Sequence, residues 1–207
     1  MPTPHQKAGR SPGRQNAPRR RADAERSIAT IVAAALDCFL RDPQVSMSAV
    51  AGAAGVSRVT LYAHFPSREA LLDAVLVHSV EQADAVLQGR QLDEGPADEA
   101  FSRLVRSSWR ILERHASLLS ASEGLITPAR RRKHHEKVLG RVERILARGQ
   151  EEGVFRSDLP MNWLVTTFYS LLHAAAAETG ARHLKAADVP DLLDRTLSSI
   201  LRRLPEA

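Results

Sequence analysis

From Asp23 almost to its end the chain repeats one pattern, an apolar side chain every three or four residues, and no stretch alternates in twos. Ile28, Ile31, Val32, Ala35, Leu36, Phe39 and Leu40 follow the i, i+3, i+4, i+7 spacing that lays one apolar stripe along a helix. Further stripes run from Leu72 to Leu87, from Phe101 to His115, from Val138 to Leu146 and from Val189 to Leu204. A half-buried strand needs period two and favours aromatic residues, which are only 4% of this chain. The pattern predicts an all-α fold of about nine helices. The punctuation agrees. Asp23 is the expected N-cap of the first helix, with Glu25 in its first turn, and Asp42-Pro43 ends it because proline disfavours helical backbone in the residue before it. Thr127-Pro128 reads as an N-cap followed by proline at the first helical position, and Asp188 opens the last helix.

Charge divides the chain. All of its net +5 lies in residues 1–26, which hold seven basic and two acidic residues; the other 181 carry 22 of each sign. Residues 1–22 contain four prolines and no Ile, Leu, Val or aromatic residue. Such a segment buries too little apolar surface to offset its ordering entropy, so a disordered basic arm is expected there.

Several functions fall away. One cysteine, Cys38, excludes an internal disulfide framework and a cysteine-based zinc cluster. The basic N-terminus is not followed by the apolar run of a secretory signal. The stretch Trp163 to Ala177, interrupted by Thr166, Thr167, Ser170 and His173, is short for a membrane span, so a cytoplasmic protein is expected. No Gly-rich phosphate loop, nucleophile elbow or spaced His/carboxylate cluster supports an enzyme, and no cofactor or metal is called for. The run Arg130-Arg131-Arg132-Lys133-His134-His135 reads as a solvated face pairing with neighbouring acids. His134 and His135, about 100° apart on a helix, make a poor metal pair.

Residues 46–66, SMSAVAGAAGVSRVTLYAHFP, place two short helical pieces around Gly55, where positive φ costs least. Ala51 and Ala54 are small enough for close helix approach, and Val50, Val56 and Leu61 suit a shared core. This is the layout of a helix-turn-helix, which an ordinary helical corner around a glycine also shares.

The wider string, IVAAALDCF (31–39) with SMSAVAGAAGVSRVTLYAHFPSREALL (46–72), resembles the N-terminal domain of the TetR family of one-component transcriptional regulators. Tyr62, His64 and Phe65 stand where that family closes its recognition helix; Ser67, Arg68, Glu69 and Leu71 stand where its fourth helix opens. Val59 replaces an often small residue, Ala63 a larger or polar one, and the loop Asp42 to Val45 lacks the usual glycine. The resemblance implies a basic arm (1–22), a helix-turn-helix domain (23–66) and a helical effector and dimerisation domain (67–207). It sends Ser57, Arg58, Val59 and Thr60 toward base edges, where valine suits a thymine methyl. It sends Tyr62, His64, Arg68, Ser46 and Ser48 toward phosphates, the serines at a helix N-terminus.

The same resemblance implies a homodimer on a palindromic double-stranded DNA operator, paired through Leu164, Leu171, Leu172 and Ala175 of one helix and Leu193, Leu197, Ile200 and Leu201 of the last. It implies a cavity for a small, mostly apolar effector, with Trp109, Leu112, His115, Leu119, Glu123, Phe168, Tyr169 and His173 as candidate lining. Ligand would swing the fourth helix and release the operator, most simply as a repressor. The alternative is a nucleoid-like or activating DNA binder without an effector.

Residues 27–75 hold Arg41, Arg58 and Arg68 against Asp37, Asp42, Glu69 and Asp73, a net of −1. Nonspecific attraction to DNA must then come from the arm. Deleting residues 1–20 is expected to weaken DNA binding and flatten its salt dependence while sequence preference persists. An unchanged slope of log affinity against log salt would refute this.

Overall fold

The computed structural model describes residues 17–203, with side chains from Arg21 onward. It contains ten helices: α1 (Ala17–Arg41), α2 (Met47–Ala53), α3 (Arg58–His64), α4 (Arg68–Gln88), α5 (Ala97–Arg114), α6 (Ala116–Ser122), α7 (Pro128–His134), α8 (Glu136–Glu151), α9 (Met161–Gly180) and α10 (Val189–Leu201). Among the described residues the only extended pairing is one bridge between Phe155 and Arg202.

Local chemistry sets most of these boundaries. Ser46, Ser57, Ser67 and Thr127 each cap a helix by accepting from the backbone N–H three residues on, in α2, α3, α4 and α7. Each cap satisfies a donor that the first helical turn leaves unpaired, worth about 1 kcal/mol. Ten helices are described where about nine are expected: the helix opened by Thr127-Pro128 breaks at His135, and α6 follows α5 directly at His115. At His115, between α5 and α6, the backbone sits at φ −100°, ψ 13°; at His135, between α7 and α8, at φ −88°, ψ 0°. In both cases the ring Nδ1–H donates to the carbonyl four residues earlier, Ile111 O at 2.7 Å and Arg131 O at 2.8 Å.

The first helix departs from expectation at its start. It begins at Ala17, so residues 17–22 of the expected arm are helical and Asp23 is an interior residue paired with Arg26. Arg21 bonds Glu25 at 3.1 Å one turn on. These i, i+3 and i, i+4 pairs support a segment that has no apolar stripe of its own. The rest of the expected arm, residues 1–16, lies outside the described residues.

Two apolar cores meet inside α4. Ile31, Phe39, Val50, Leu61, Leu72 and Leu76 belong to the first, which also takes in Leu118 and Ala121 from α6. Val80, Leu87, Phe101, Leu104, Val142 and Leu164 belong to the second, closed by α9 and α10. The sequence division after Pro66 falls at the α3–α4 junction, whereas the core changes hands between Leu76 and Val80.

Six of the eight residues assigned to a dimer seam belong to this second core. Leu164, Leu172, Ala175, Leu193, Leu197 and Leu201 are all less than 10% exposed within one chain, while Leu171 and Ile200 are half-buried. The leucine stripe of α10 faces α5, where Asp194 accepts from Ser102 at 2.8 Å and Arg106 at 2.9 Å. A helix must bury its most apolar face on its own subunit before anything is left for a partner. The outward face of α9 instead shows Trp163, 58% exposed, with Ser170 and Ala174, and α10 adds Leu192.

Behind the shared helix, Asp84 is buried and held by Arg141 at 2.6 Å, Lys137 at 2.8 Å and Gln88 at 3.1 Å, which ties α4 to α8. The Arg141 hydrogen bond, against the opposing cost of burial, brings its carboxyl down to about 2. A depressed carboxylate stabilises the fold fully above its ordinary range and ceases to do so as pH falls toward that lowered value. Asp84→Asn is therefore expected to lower stability by about 2–3 kcal/mol at neutral pH. In urea titrations the gap from wild type should shrink as pH approaches 2. Equal neutral-pH stabilities would mean that the network contributes nothing.

Candidate functional site

At the exposed end of the first core, α2 and α3 are joined by a turn in which Gly55 has φ +67°. No atom lies within 4 Å of the position a side chain would take there, so the glycine is required by backbone conformation alone. Val56 N–H bonds Ala51 O at 3.0 Å to close the turn. Val50, Ala51, Ala54 and Leu61 are buried beneath it, as expected, and Phe65 closes the core.

The outer surface of α3 presents Arg58, Val59 and Tyr62, with Val59 81% exposed and Tyr62 42%. An exposed valine beside an exposed tyrosine on a short helix has no packing explanation among the described residues. Thr60 and His64 are partly covered on the flanks. Ser57 serves first as a cap: its hydroxyl accepts from Thr60 N–H at 3.0 Å and lies 2.9 Å from the Thr60 hydroxyl. Ser46 likewise caps α2, accepting from Ala49 N–H at 3.2 Å, while Ser48 is exposed one turn-position on.

Arg68 does not have the free guanidinium that a phosphate contact needs. It donates to Val45 O and, at 2.5 Å, to Pro43 O, and it stacks 4.9 Å from the centre of the Phe39 ring. A planar fork with two fixed carbonyl acceptors and an aromatic face beneath it is well matched to guanidinium. Arg68 thereby fixes the loop from Asp42 to Val45, which has no glycine to shape it. Its partners lie more than twenty residues away in sequence, beyond the reach of local pattern.

Between the two cores lies a cavity of about 90 Å³ walled by α4, α5, α6, α8 and α9. Six expected residues line it: Leu112, His115, Leu119, Phe168, Tyr169 and His173. Trp109 does not. One position round the helix from the lining Ser108, it is buried in the second core at 2% exposure. Glu123 is exposed at the end of α6. The sequence had singled out neither Ser79 nor Ser108 as lining, and His135 only as core. Spacing marks a buried face but does not say which buried residues border a void.

The cavity's polar end is a ring cluster. His135 lies 5.4 Å from Tyr169 and 5.5 Å from His173, and Tyr169 and His173 are 4.3 Å apart. Burial pushes His173 down to about 4, lowers His135 and raises the Tyr169 phenol, so all three are uncharged at neutral pH. Arg132 stacks 5.2 Å over Tyr169 and donates to Thr166 at 3.1 Å.

The basic run before His135 is tied to the reading head. Asp73 of α4 accepts from Arg130 and from His134, each at 2.8 Å. The lining residues Leu76 and Leu118 also belong to the first core. A molecule in the cavity would therefore touch the core on which α3 rests.

Residues 31–75, the segment that builds this head, match the profile of the bacterial regulatory proteins of the tetR family. Over this segment the chain is similar to the DNA-binding domain of the tetR family. It is similar to the transcriptional repressor LfrR of Mycolicibacterium smegmatis, 32% identical over 83 residues, 40% of this chain and 44% of that one. It is also similar to the regulator EthR of Mycobacterium tuberculosis, 48% identical over 54 residues, 26% of this chain and 24% of that one. These matches span less than half of each relative. The fold is shared more widely. The structure of LfrR in complex with proflavine aligns with TM-score 0.63 at 21% identity, covering 88% of this chain and 99% of that one. The fatty acid degradation regulator FadR of Bacillus halodurans aligns with TM-score 0.68 at 18% identity, covering 84% and 99%.

Arg68→Ala is expected to lower stability by about 2 kcal/mol in the absence of DNA, with Arg68→Lys recovering only part because ammonium lacks the fork. The check is the urea midpoint of the DNA-free protein. Unchanged midpoints together with weakened DNA binding would return Arg68 to a phosphate role.

Proposed function

We propose that this protein is a cytoplasmic, ligand-responsive transcriptional repressor of the TetR family that binds a palindromic operator as a dimer and is released by a small, mostly apolar molecule. The observation that carries this reading is the seam position of the cavity: Leu76 and Leu118 line it and are also core residues of the DNA-binding half. In this reading Arg58, Val59 and Tyr62 face the major groove, His64 and Ser48 flank the phosphates, and Ser57 and Thr60 hold the start of α3. Two copies meet through the outward faces of α9 and α10, including Trp163 and Leu192, which brings two recognition helices onto one operator. Repression follows the naming of LfrR, and an apolar effector suits a lining without charged residues.

The route from cavity to operator runs through α4. Ligand pressing on His135 or Leu76 acts on a helix that Asp73 ties to α7, so the bound state shifts α4 and the spacing of the two recognition helices. Coupling of about 1–3 kcal/mol would change operator affinity about 5–150-fold.

The test is selection of bound sequences from a random duplex pool, followed by a small-molecule screen for release of the selected operator. A single palindrome and at least one releasing molecule are expected; uniform coating of DNA would favour the nucleoid-like alternative. In the same anisotropy assay, Asp73→Ala should bind operator when ligand-free but show a several-fold smaller release, since Arg130 and His134 lose their shared acceptor. Full release by this variant would exclude Asp73 from the route. For the arm, the cut that spares α1 removes residues 1–16 and with them Lys7, Arg10 and Arg14. Three lost phosphate contacts per chain would reduce the salt slope by roughly three.

A further inference from the structure

The hydrogen-bonding sense of the cavity can be worked out from its histidines. His115 and His135 each turn Nδ1 to a backbone carbonyl, and a carbonyl only accepts, so in the neutral rings the proton is on Nδ1. Both Nε2 atoms are then bare acceptors, and neither has a partner among the described residues. The Ser108 hydroxyl is buried without a partner on the same wall, and neither His173 nor the Tyr169 hydroxyl makes a hydrogen bond within the described residues. Of these groups the Ser108 hydroxyl is fully buried, and a buried polar group left unpaired is costly; the others belong to residues that line the cavity, where a ligand of matching sense can meet them.

The lining also limits charge and size. It contains no Asp, Glu, Lys or Arg. A cation would be buried with no carboxylate to meet it, and with Arg132 standing behind the Tyr169 ring. An anion would need one of the buried imidazoles to take a proton, which their burial opposes. A void of about 90 Å³, below the roughly 150 Å³ that accepts a benzene ring, limits the occupant to a compact molecule, with the pocket widening to admit a substituted ring, and does not fit a long acyl chain.

We propose that the cavity selects a compact, uncharged lipophile that carries a hydrogen-bond donor, a hydroxyl on an aromatic or short aliphatic frame, received by Nε2 of His135 or His115. This rests on the effector reading above. Tyr169 and Ser108, which can donate or accept, would hold the same hydroxyl from its oxygen side. The apolar remainder would lie against Phe168 and the leucines of α5 and α6.

The test is calorimetric titration of the full chain with four probes on one frame: para-propylphenol, its methyl ether para-propylanisole, para-propylbenzylamine and para-propylbenzoate. The phenol should bind at least about tenfold more tightly than the ether, as one hydrogen bond of about 1.4 kcal/mol requires, and more tightly than either charged probe. His135→Phe should reduce phenol affinity about tenfold and leave the ether unchanged, with His115→Phe as the second variant should the first not fold. Equal affinity for phenol and ether, or preference for the amine or the carboxylate, would overturn the donor inference and leave the effector reading standing. Binding by none of the four would overturn both.

Discussion

Helix α4 is buried at both ends in different cores, and the rest of the molecule depends on that sharing. Leu71, Leu72, Val75 and Leu76 pack under α1 to α3, and within one further turn Val80 enters the core of α5, α8 and α9. Close-packed interiors resist continuous deformation, so a change on one side of such a helix moves it as a body. At 21 residues α4 is about 31 Å long, enough to reach from the base of the reading head past the cavity. Asp84 fixes its far part to α8 and Asp73 its near part to α7. The two anchors differ in kind: Asp84 is deeply buried with three partners, whereas Asp73 is partly exposed and bound to the segment that precedes a cavity histidine. The stronger anchor ties α4 to α8, and the weaker one ties it to α7.

Two of the cavity's polar residues, His115 and His135, stand at the helix breaks. At His115 and His135 the chain leaves regular α geometry, and each ring folds back to bond a carbonyl of the preceding turn. That bond fixes the ring's orientation and its tautomer at once. The local feature that divides α5 from α6 and α7 from α8 therefore also sets which ring nitrogen is left free of the backbone. It further places α7, with Arg130 and His134, directly against α4.

Much of this was legible in the sequence. The stripe from Ile31 to Phe39, the cap at Thr127, the stop at Asp42-Pro43 and the positive φ at Gly55 are all local matters, fixed by residues within a turn of each other. The misses share a different cause. The stripe of Leu193, Leu197 and Leu201 shows that α10 buries a face, but period alone cannot distinguish a partner chain from α5 of the same chain. Trp109 and Phe168 are both large, apolar and buried, yet only Phe168 borders the void. Arg68 occupies a position that suggests phosphate contact, while Pro43 and Val45 supply acceptors that only the fold brings near. The helix start at Ala17 in place of Asp23 reflects alanine and arginine, which favour helix without any apolar stripe to announce it.

The disposition of charge at the reading head has a consequence for how discrimination would arise. Of the three basic residues between 27 and 75, Arg68 is turned to the α1–α2 loop and Arg41 bonds back to Asp37 O at 3.0 Å, which leaves Arg58 on the outward face of α3. Phosphate contacts supply most nonspecific affinity, and a head with few of them adds little attraction to arbitrary sequence. In the proposed reading, base-edge contacts by Arg58, Val59 and Tyr62 would then make up a larger share of what the head itself contributes. Holding the cations in the N-terminal segment, apart from the groove-facing helix, separates the tendency to stay near DNA from the ability to tell one sequence from another. In such an arrangement a ligand that displaces the recognition helices removes the second property and leaves the first, so released protein would remain close to DNA.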